Sequence, residues 1–324
     1  MLFLGVDGGG TKTAALLVES DGQVLGAATA DGSNYHSVGM EAAFPNVRLA
    51  VEAALQGRAP DAACFAMAGA DLPHDFRALS AKLDTLSLGS QCNYILKNDV
   101  IAALRAGSRF PYGVAVVCGT GFNAGGIGRD GREFRLPAMG PLTGDQPGAR
   151  RLATRAIGAA FRTWDGRGEP TLLADIVLKH LGAPNFETLA EQLGDGTLND
   201  AHIKSVALLV FEAADAGDML AQQFIYEQGY ELGLAATAIL RKLDLTQQDV
   251  DVVLGGSVFY GKGDLLMQTV YSVIFETAPH VTIKRLESPP VVGAVRLAAD
   301  SVGVQLPDDL VVGLPPTMQL PSMF

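Results

Sequence analysis

Leu2-Phe3-Leu4-Gly5-Val6-Asp7-Gly8-Gly9-Gly10-Thr11-Lys12-Thr13 is the stretch on which the reading of this chain turns. An apolar run of strand character ends at an acid, then at three glycines, a threonine and a lysine. A P-loop needs Gly-Lys-Ser/Thr, and here Thr11 separates Gly10 from Lys12. A dinucleotide-binding loop must open a helix, yet Thr13–Glu19 is apolar and runs into the turn signal Asp21-Gly22. The remaining reading is a glycine hairpin whose backbone amides face a phosphate, since glycine permits positive φ and close approach. Thr11 adds a hydroxyl donor and Lys12 a charge, and Asp7 at the strand end is placed to hold Mg²⁺ through water. The bland alternative is an ordinary tight turn, and Lys12 fits a solvated strand position equally well.

A second copy of the pattern favours the phosphate loop over the plain turn and leaves both readings of Lys12 open. Gly113–Cys118 is an apolar strand, Gly119-Thr120-Gly121 a tight loop, Ala124–Ile127 a strand, Asp130-Gly131 a hairpin turn and Arg132–Leu136 a further strand. The order repeats that of the first 30 residues, which end with a strand over Gln23–Ala28. It reads as a duplicated domain core, with two glycine loops facing each other across a cleft. Between the copies lie helical spacing over 40–56, a buried-type strand over Ala63–Ala68, a helix over Phe76–Leu83, a short strand over Tyr94–Lys97 and a helix over Val100–Ala106. The second half reads as more helical, over 148–163, 171–180, 186–193, 202–216 and 218–242. A strand over Val250–Leu254 then ends in Gly255-Gly256-Ser257. A helix over Leu265–Thr277, a strand over Val281–Arg285 and a last helix over Val292–Ser301 precede a proline-rich tail expected to wrap the surface.

Composition narrows the function. The 324 residues suffice for two domains, and 48% hydrophobic content supplies their cores. A formal net charge of −11 disfavours nucleic acid but not a nucleotide held by backbone amides and Mg²⁺. Cys64, Cys92 and Cys118 are scattered, without the spacing of a disulfide framework or a zinc site, and suit a reducing cytoplasm. No run reads as a signal peptide or a membrane span, so a cytoplasmic location is expected. Asp99 follows a short strand and opens a helix, where the dipole favours an anionic carboxylate. It suits a proton acceptor there, as it suits a plain N-cap. His74, His180, His202 and His280 show no ligand spacing, and Trp164 is expected to pack.

Gly5-Val6-Asp7-Gly8-Gly9-Gly10-Thr11-Lys12-Thr13, Asn98-Asp99, Gly119-Thr120-Gly121, Gly144-Asp145 and Gly255-Gly256-Ser257-Val258, in that order and spacing, resemble the sugar-kinase branch of the actin/hexokinase superfamily. More narrowly the chain resembles the N-acetylglucosamine kinases grouped with the BadF/BadG/BcrA/BcrD ATPases. The resemblance implies an α/β fold of two actin-like, ribonuclease H-like ATPase lobes around a central cleft. The first would cover 1–110, the second 111–291, and 304–324 would be a tail, with a helix at 292–303 returning to the first lobe. ATP and Mg²⁺ are implied, with a small sugar as acceptor and a homodimer as a common assembly. By resemblance, Asp7 organises the metal, and Gly9, Gly10, Thr11, Lys12, Gly119, Thr120 and Gly121 surround the phosphates. Ala214, Gly256 and Ser257 border the adenosine. Asn34, Gly140 and Asp145 touch the sugar, and Asp99 is the general base. Two departures stand out: Phe122 replaces a small polar residue, and Gln146-Pro147 replaces Glu-Gly after Gly144-Asp145. The altered loop leaves a non-catalytic sugar or nucleotide sensor as one alternative. An ATPase activator of a dehydratase is another, and it would need interface cysteines for an iron–sulfur cluster.

Overall fold

The computed structural model describes residues 1–119, 121–145 and 148–308, together with 310, 314, 315 and 318 of the tail. The first segment builds β1 (Leu2–Gly8), β2 (Lys12–Glu19), β3 (Val24–Asp31), α1 (Tyr35–Val38), α2 (Met40–Leu55), β4 (Ala62–Met67), α3 (Pro73–Leu83), β5 (Asn93–Asn98) and α4 (Asp99–Gly107). The second begins again with β6 (Gly113–Cys118), β7 (Phe122–Ile127) and β8 (Glu133–Arg135). Helices follow: α5 (Ala149–Trp164), α6 (Leu173–Leu181), α7 (Phe186–Gly194), α8 (Asp200–Ser205), α9 (Ala207–Asp215) and α10 (Met219–Lys242). The chain then forms β9 (Asp251–Gly255), α11 (Leu265–Thr277), β10 (Thr282–Arg285) and α12 (Pro290–Asp300).

The strands form two five-stranded sheets of one topology. The first runs β3-β2-β1-β4-β5 and the second β8-β7-β6-β9-β10. In each, a three-stranded antiparallel meander supplies one side and two parallel strands supply the other. Parallel strands are covered on both faces, so they read as continuous apolar runs. Accordingly every residue of β4 (Ala-Ala-Cys-Phe-Ala-Met) and of β9 is buried. One face of the first sheet packs on α2 and α3 through Phe44, Val47, Val51, Leu79 and Leu83. The second sheet packs on α5, α9, α10 and α11 through residues such as Leu152, Phe211, Leu232 and Val270.

What joins the halves is α4. Val100–Leu104 share one buried cluster with Phe3 and Cys64 of the first sheet, Ala115 and Val253 of the second, and Val291–Val295 of α12. A Cβ on Gly293 would lie 1.9 Å from the Ala102 carbonyl oxygen, so α12 and α4 meet backbone to backbone. Arg105 Nε adds an ion pair to Asp300 at 2.6 Å. Leu306, Leu310, Leu314 and Met318 of the tail join the same cluster, so the tail is part of the packing.

One expected helix is divided. The run predicted over 202–216 appears as α8 and α9, divided at Val206, and the Ser205 hydroxyl donates back to the His202 carbonyl at 2.7 Å beside the break. Among the described residues no helix is long and apolar enough to cross a membrane.

Candidate active site

The two glycine loops are the turns of the β1–β2 and β6–β7 hairpins. Gly9 N–H donates to the Lys12 carbonyl and Gly119 N–H to the Gly121 carbonyl, both at 3.0 Å. The first loop is anchored from below: the Gly9 carbonyl accepts the N–H groups of Ser33 and Asn34 at 2.9 and 3.2 Å. Asn34, whose side chain caps α1 by accepting the His36 N–H, is thereby fixed beside the loop. The second loop is pressed by Gly256. At φ +99° its hypothetical Cβ would sit 2.3 Å from the Cys118 carbonyl oxygen, so only glycine fits. At both Gly10 and Gly121 an added Cβ would meet nothing within 4 Å: each loop presents bare backbone to open space.

That space is a cavity of about 530 Å³. Gly10 and Thr11 line it from one side and Gly119 and Gly121 from the other, with Asn34 and Asp99 between them. Gly140 and Asp145 line an adjoining cavity of about 420 Å³ that shares Gly121, Phe122 and Ala138. Asp145 accepts the Thr143 hydroxyl, which fixes its carboxylate at the mouth of that chamber. Ser257 follows Gly256 behind the second loop. Ala214 stands in the last turn of α9 before Asp215, which pairs with Lys262 at 2.5 Å across the segment after Gly256. Thr120 lies outside the described residues, as do Gln146 and Pro147 of the altered loop. Lys12 is exposed at the start of β2 and does not line the cavity. A groove of about 970 Å³ between Glu169–Leu172 and the start of α10 is larger. Of the two acids that line it, Glu169 is exposed and Asp218 is already used by Thr171, Leu172 and Ala221, so chemistry and not size singles out the cleft.

Asp99 stands at the first turn of α4, the helix held between both sheets, which places it where the halves meet. Burial and the nearby Asp71 carboxylate raise its pKa to about 6, against the pull of the Val100 N–H, Asn123 and Arg135. Burial, then Asp99, push Asp7 up to about 7, and Lys12 counters them. Two carboxyls raised by enclosure and by neighbouring acids, beside loops of free amides, form a site that gains from a cation and from a substrate able to give up a proton.

Four side chains escaped the sequence reading. Asn123 on β7 donates to Asp99 at 3.1 Å and to Asn98 at 2.9 Å, and its Oδ1 is buried without a partner. Asp71 and Lys204 line the cavity, Lys204 paired with Asp200. Arg135 reaches Asp71 from β8. Asn123 carried a local signal, one step past Gly119–Phe122. His36 sits beside the site, half-exposed, with Nε2 3.2 Å from the Gly69 carbonyl oxygen. Trp164 stacks on Phe186, away from the cleft.

Comparison with known proteins gives the same direction. The model of the BadF/BadG/BcrA/BcrD ATPase family matches residues 4–298. An N-acetyl-D-glucosamine kinase of Dictyostelium discoideum is 29% identical over 315 residues, covering 93% of this chain and 98% of that protein. An N-acetylmuramic acid/N-acetylglucosamine kinase of Clostridium acetobutylicum is 28% identical over 263 residues, covering 79% and 84%. Among solved structures, a candidate N-acetylglucosamine kinase from Chromobacterium violaceum superposes with a TM-score of 0.66 at 25% identity, covering 92% of this chain and 98% of that one.

Proposed function

The chain belongs to the BadF/BadG/BcrA/BcrD ATPase family, and from that premise we propose that it transfers the terminal phosphate of ATP to a hydroxyl of a small sugar. N-acetylglucosamine or glucosamine, giving the 6-phosphate, comes first among acceptors, because two curated relatives are named for N-acetylglucosamine. One observation carries the reading: a single cavity is lined at once by both glycine loops and by Asp99.

Phosphoryl transfer needs in-line positioning, neutralised phosphate charge and a proton acceptor. Backbone amides of residues 9–11 and 119–121 would hold the phosphates, with Thr11 and Thr120 adding hydroxyls and Lys12 a more distant charge. Asp7 fits a magnesium ligand, since a carboxyl raised by burial and by a neighbouring acid regains its charge beside a cation. Magnesium bound with ATP would supply charge neutralisation on the transferred group. Ala214, Gly256 and Ser257 would border the adenosine, and Asn34, Gly140 and Asp145 the sugar. Asp99 would take the hydroxyl proton. With a pKa near 6 it is largely anionic at neutral pH yet still basic, which suits the task. Asn123 keeps it oriented, and the buried, unpaired Asn123 Oδ1 is an acceptor awaiting a hydroxyl. In this reading the lobes divide near residue 110, and their closure excludes water from the transfer.

The test is ATP turnover over N-acetylglucosamine, glucosamine, glucose and N-acetylmuramic acid, with Asp99→Asn alongside. Wild type should phosphorylate at least one sugar. The variant should melt normally and lose on the order of 10²–10⁴-fold in kcat. Near-normal turnover by Asp99→Asn removes it as the base, and binding of a sugar without turnover would favour a sensor.

A further inference from the structure

Arg135 stands on β8 of the second sheet, and its guanidinium reaches into the loop after β4 of the first. Nη2 donates to the Asp71 carbonyl at 2.6 Å, and Nη1 to the Asp71 carboxylate at 3.2 Å. The two side chains are only 14% and 28% exposed. Exposed ion pairs contribute little. A sheltered arginine fork set on one residue is different, because it fixes that residue's orientation as well as its charge.

From Asp71 the contacts continue to the candidate base. The Asp71 oxygen that meets Arg135 also accepts Asn98 Nδ2 at 2.9 Å. Asn98 is 1% exposed and fully used: Nδ2 also reaches the Ala70 carbonyl, and Oδ1 accepts the Val100 N–H and Asn123 Nδ2. Asn123 in turn donates to Asp99. The relay Arg135–Asp71–Asn98–Asn123–Asp99 thus passes back and forth between the two halves, crossing the junction three times. The sheets do not need it, for β7 and β8 pair through their own backbones, as do β4 and β5.

The relay also arranges charge. Asp71 and Asp99 line one cavity, where like charges repel strongly. Lys204 is engaged by Asp200, and Lys12 acts on Asp7. Arg135 is the cation joined directly to Asp71.

We propose that Arg135 is a positioning residue for phosphoryl transfer: it holds Asp71 and, through Asn98 and Asn123, keeps the Asp99 carboxylate aimed and shielded from its acidic neighbour. This rests on Asp99 serving as the base for a sugar hydroxyl.

The experiment compares Arg135→Gln, Arg135→Lys, Asp71→Asn and the double variant Asp71→Asn/Arg135→Gln in steady-state kinetics on the best sugar, with melting curves for each. Arg135→Gln should lower kcat about 100-fold, the effect of misplacing a reacting group by about 1 Å, while KM for ATP stays within about twofold. Arg135→Lys keeps the charge without the fork and should recover part of the loss. The double variant should exceed Arg135→Gln by about tenfold in kcat, because the orphaned Asp71 charge is gone. A residue serving stability alone would lower the melting temperature with no such recovery. Arg135→Gln at wild-type kcat overturns the proposal, and so does a double variant no faster than the single. A wild type inactive on every sugar removes the acceptor reading and this proposal together; an active wild type with an indifferent Arg135→Gln removes this proposal only.

Discussion

The two hairpins occupy the same place in two sheets of the same topology, yet they carry opposite chemistry. In the first, Asp7 on the outgoing strand faces Ala14 on the returning one. In the second, Val117 takes the place of the acid, and its partner is Asn123. Directly opposed residues share a face, so one hairpin turns a carboxylate toward the cleft and the other an amide. A duplicated scaffold can therefore divide labour. Around the main cavity the first half supplies the acids Asp7, Asp71 and Asp99, whereas the second supplies the neutral donor Asn123 and the cations Arg135 and Lys204, with its own acid, Asp145, in the adjoining chamber. The buried acid of the second sheet, Asp251, sharpens the contrast. It lies at the far end of its strand and is fully paired, accepting the Arg109 N–H at 2.7 Å and Lys284 Nζ at 2.9 Å. Burial with partners serves stability; burial without them leaves a group that still needs a ligand.

The largest effect expected of this division is at Asp7. Asp7→Asn should cut turnover by on the order of 10³-fold and weaken its dependence on magnesium. The same change should stabilise the ligand-free protein. Because the folded pKa of Asp7 is raised, its ionisation counts against the fold: the penalty is absent below the usual carboxylate range, grows as pH rises and is complete above about pH 7. Melting temperatures should therefore rise by a few degrees at pH 8 and hardly at all at pH 4. A variant that is destabilised at pH 8 would place Asp7 among the paired, structural acids.

Asp251 should behave with the opposite sign. Burial raises its pKa, but the hydrogen bonds of Arg109 and Lys284 outweigh burial and hold it below the ordinary range. The stability it contributes is present above that range and disappears as pH falls through the depressed value. Asp251→Asn should cost about 3 kcal/mol at pH 7, roughly 6–10 °C in melting temperature, and leave kcat of the folded fraction unchanged. Equal melting of variant and wild type at pH 7 would show that the network contributes nothing.

How legible this was in the sequence depended on range. Asp21-Gly22 and Asp130-Gly131 marked the meander turns by local chemistry, and both meanders formed as their patterns indicated. The run over Gly113–Cys118 and the helix over Leu265–Thr277 formed with those bounds. Gly10, Gly119 and Asp99 were readable because a glycine turn and a strand-to-helix junction are short-range features. Periodicity alone carried a helix through Val206, where the fold divides it. Arg135 and Asp71 were out of reach for another reason: they lie 64 residues apart, and no spacing rule joins them. Their meeting follows from how the second sheet sits against the first. Asn123 falls between these cases: it lies one residue before the strand read over Ala124–Ile127, whereas its pairing with Val117 and its approach to Asn98 and Asp99 needed the folded hairpin and the packed α4.

The smallest expected effect is the most direct probe of the comparison. Val117 lines the cleft at the counterpart of Asp7, but an apolar side chain can contribute only packing there. Val117→Ala should cost about 1 kcal/mol, as expected for trimming a partly buried valine, and kcat should change by no more than about twofold. Asn123, on the opposed strand, keeps its hydrogen bonds to Asn98 and Asp99, so the base stays oriented. If Val117→Ala instead lost activity on the scale of Asp7→Asn while melting normally, the two strand ends would share in the chemistry. The division of labour between the hairpins would then fail at the position where topology makes them most alike.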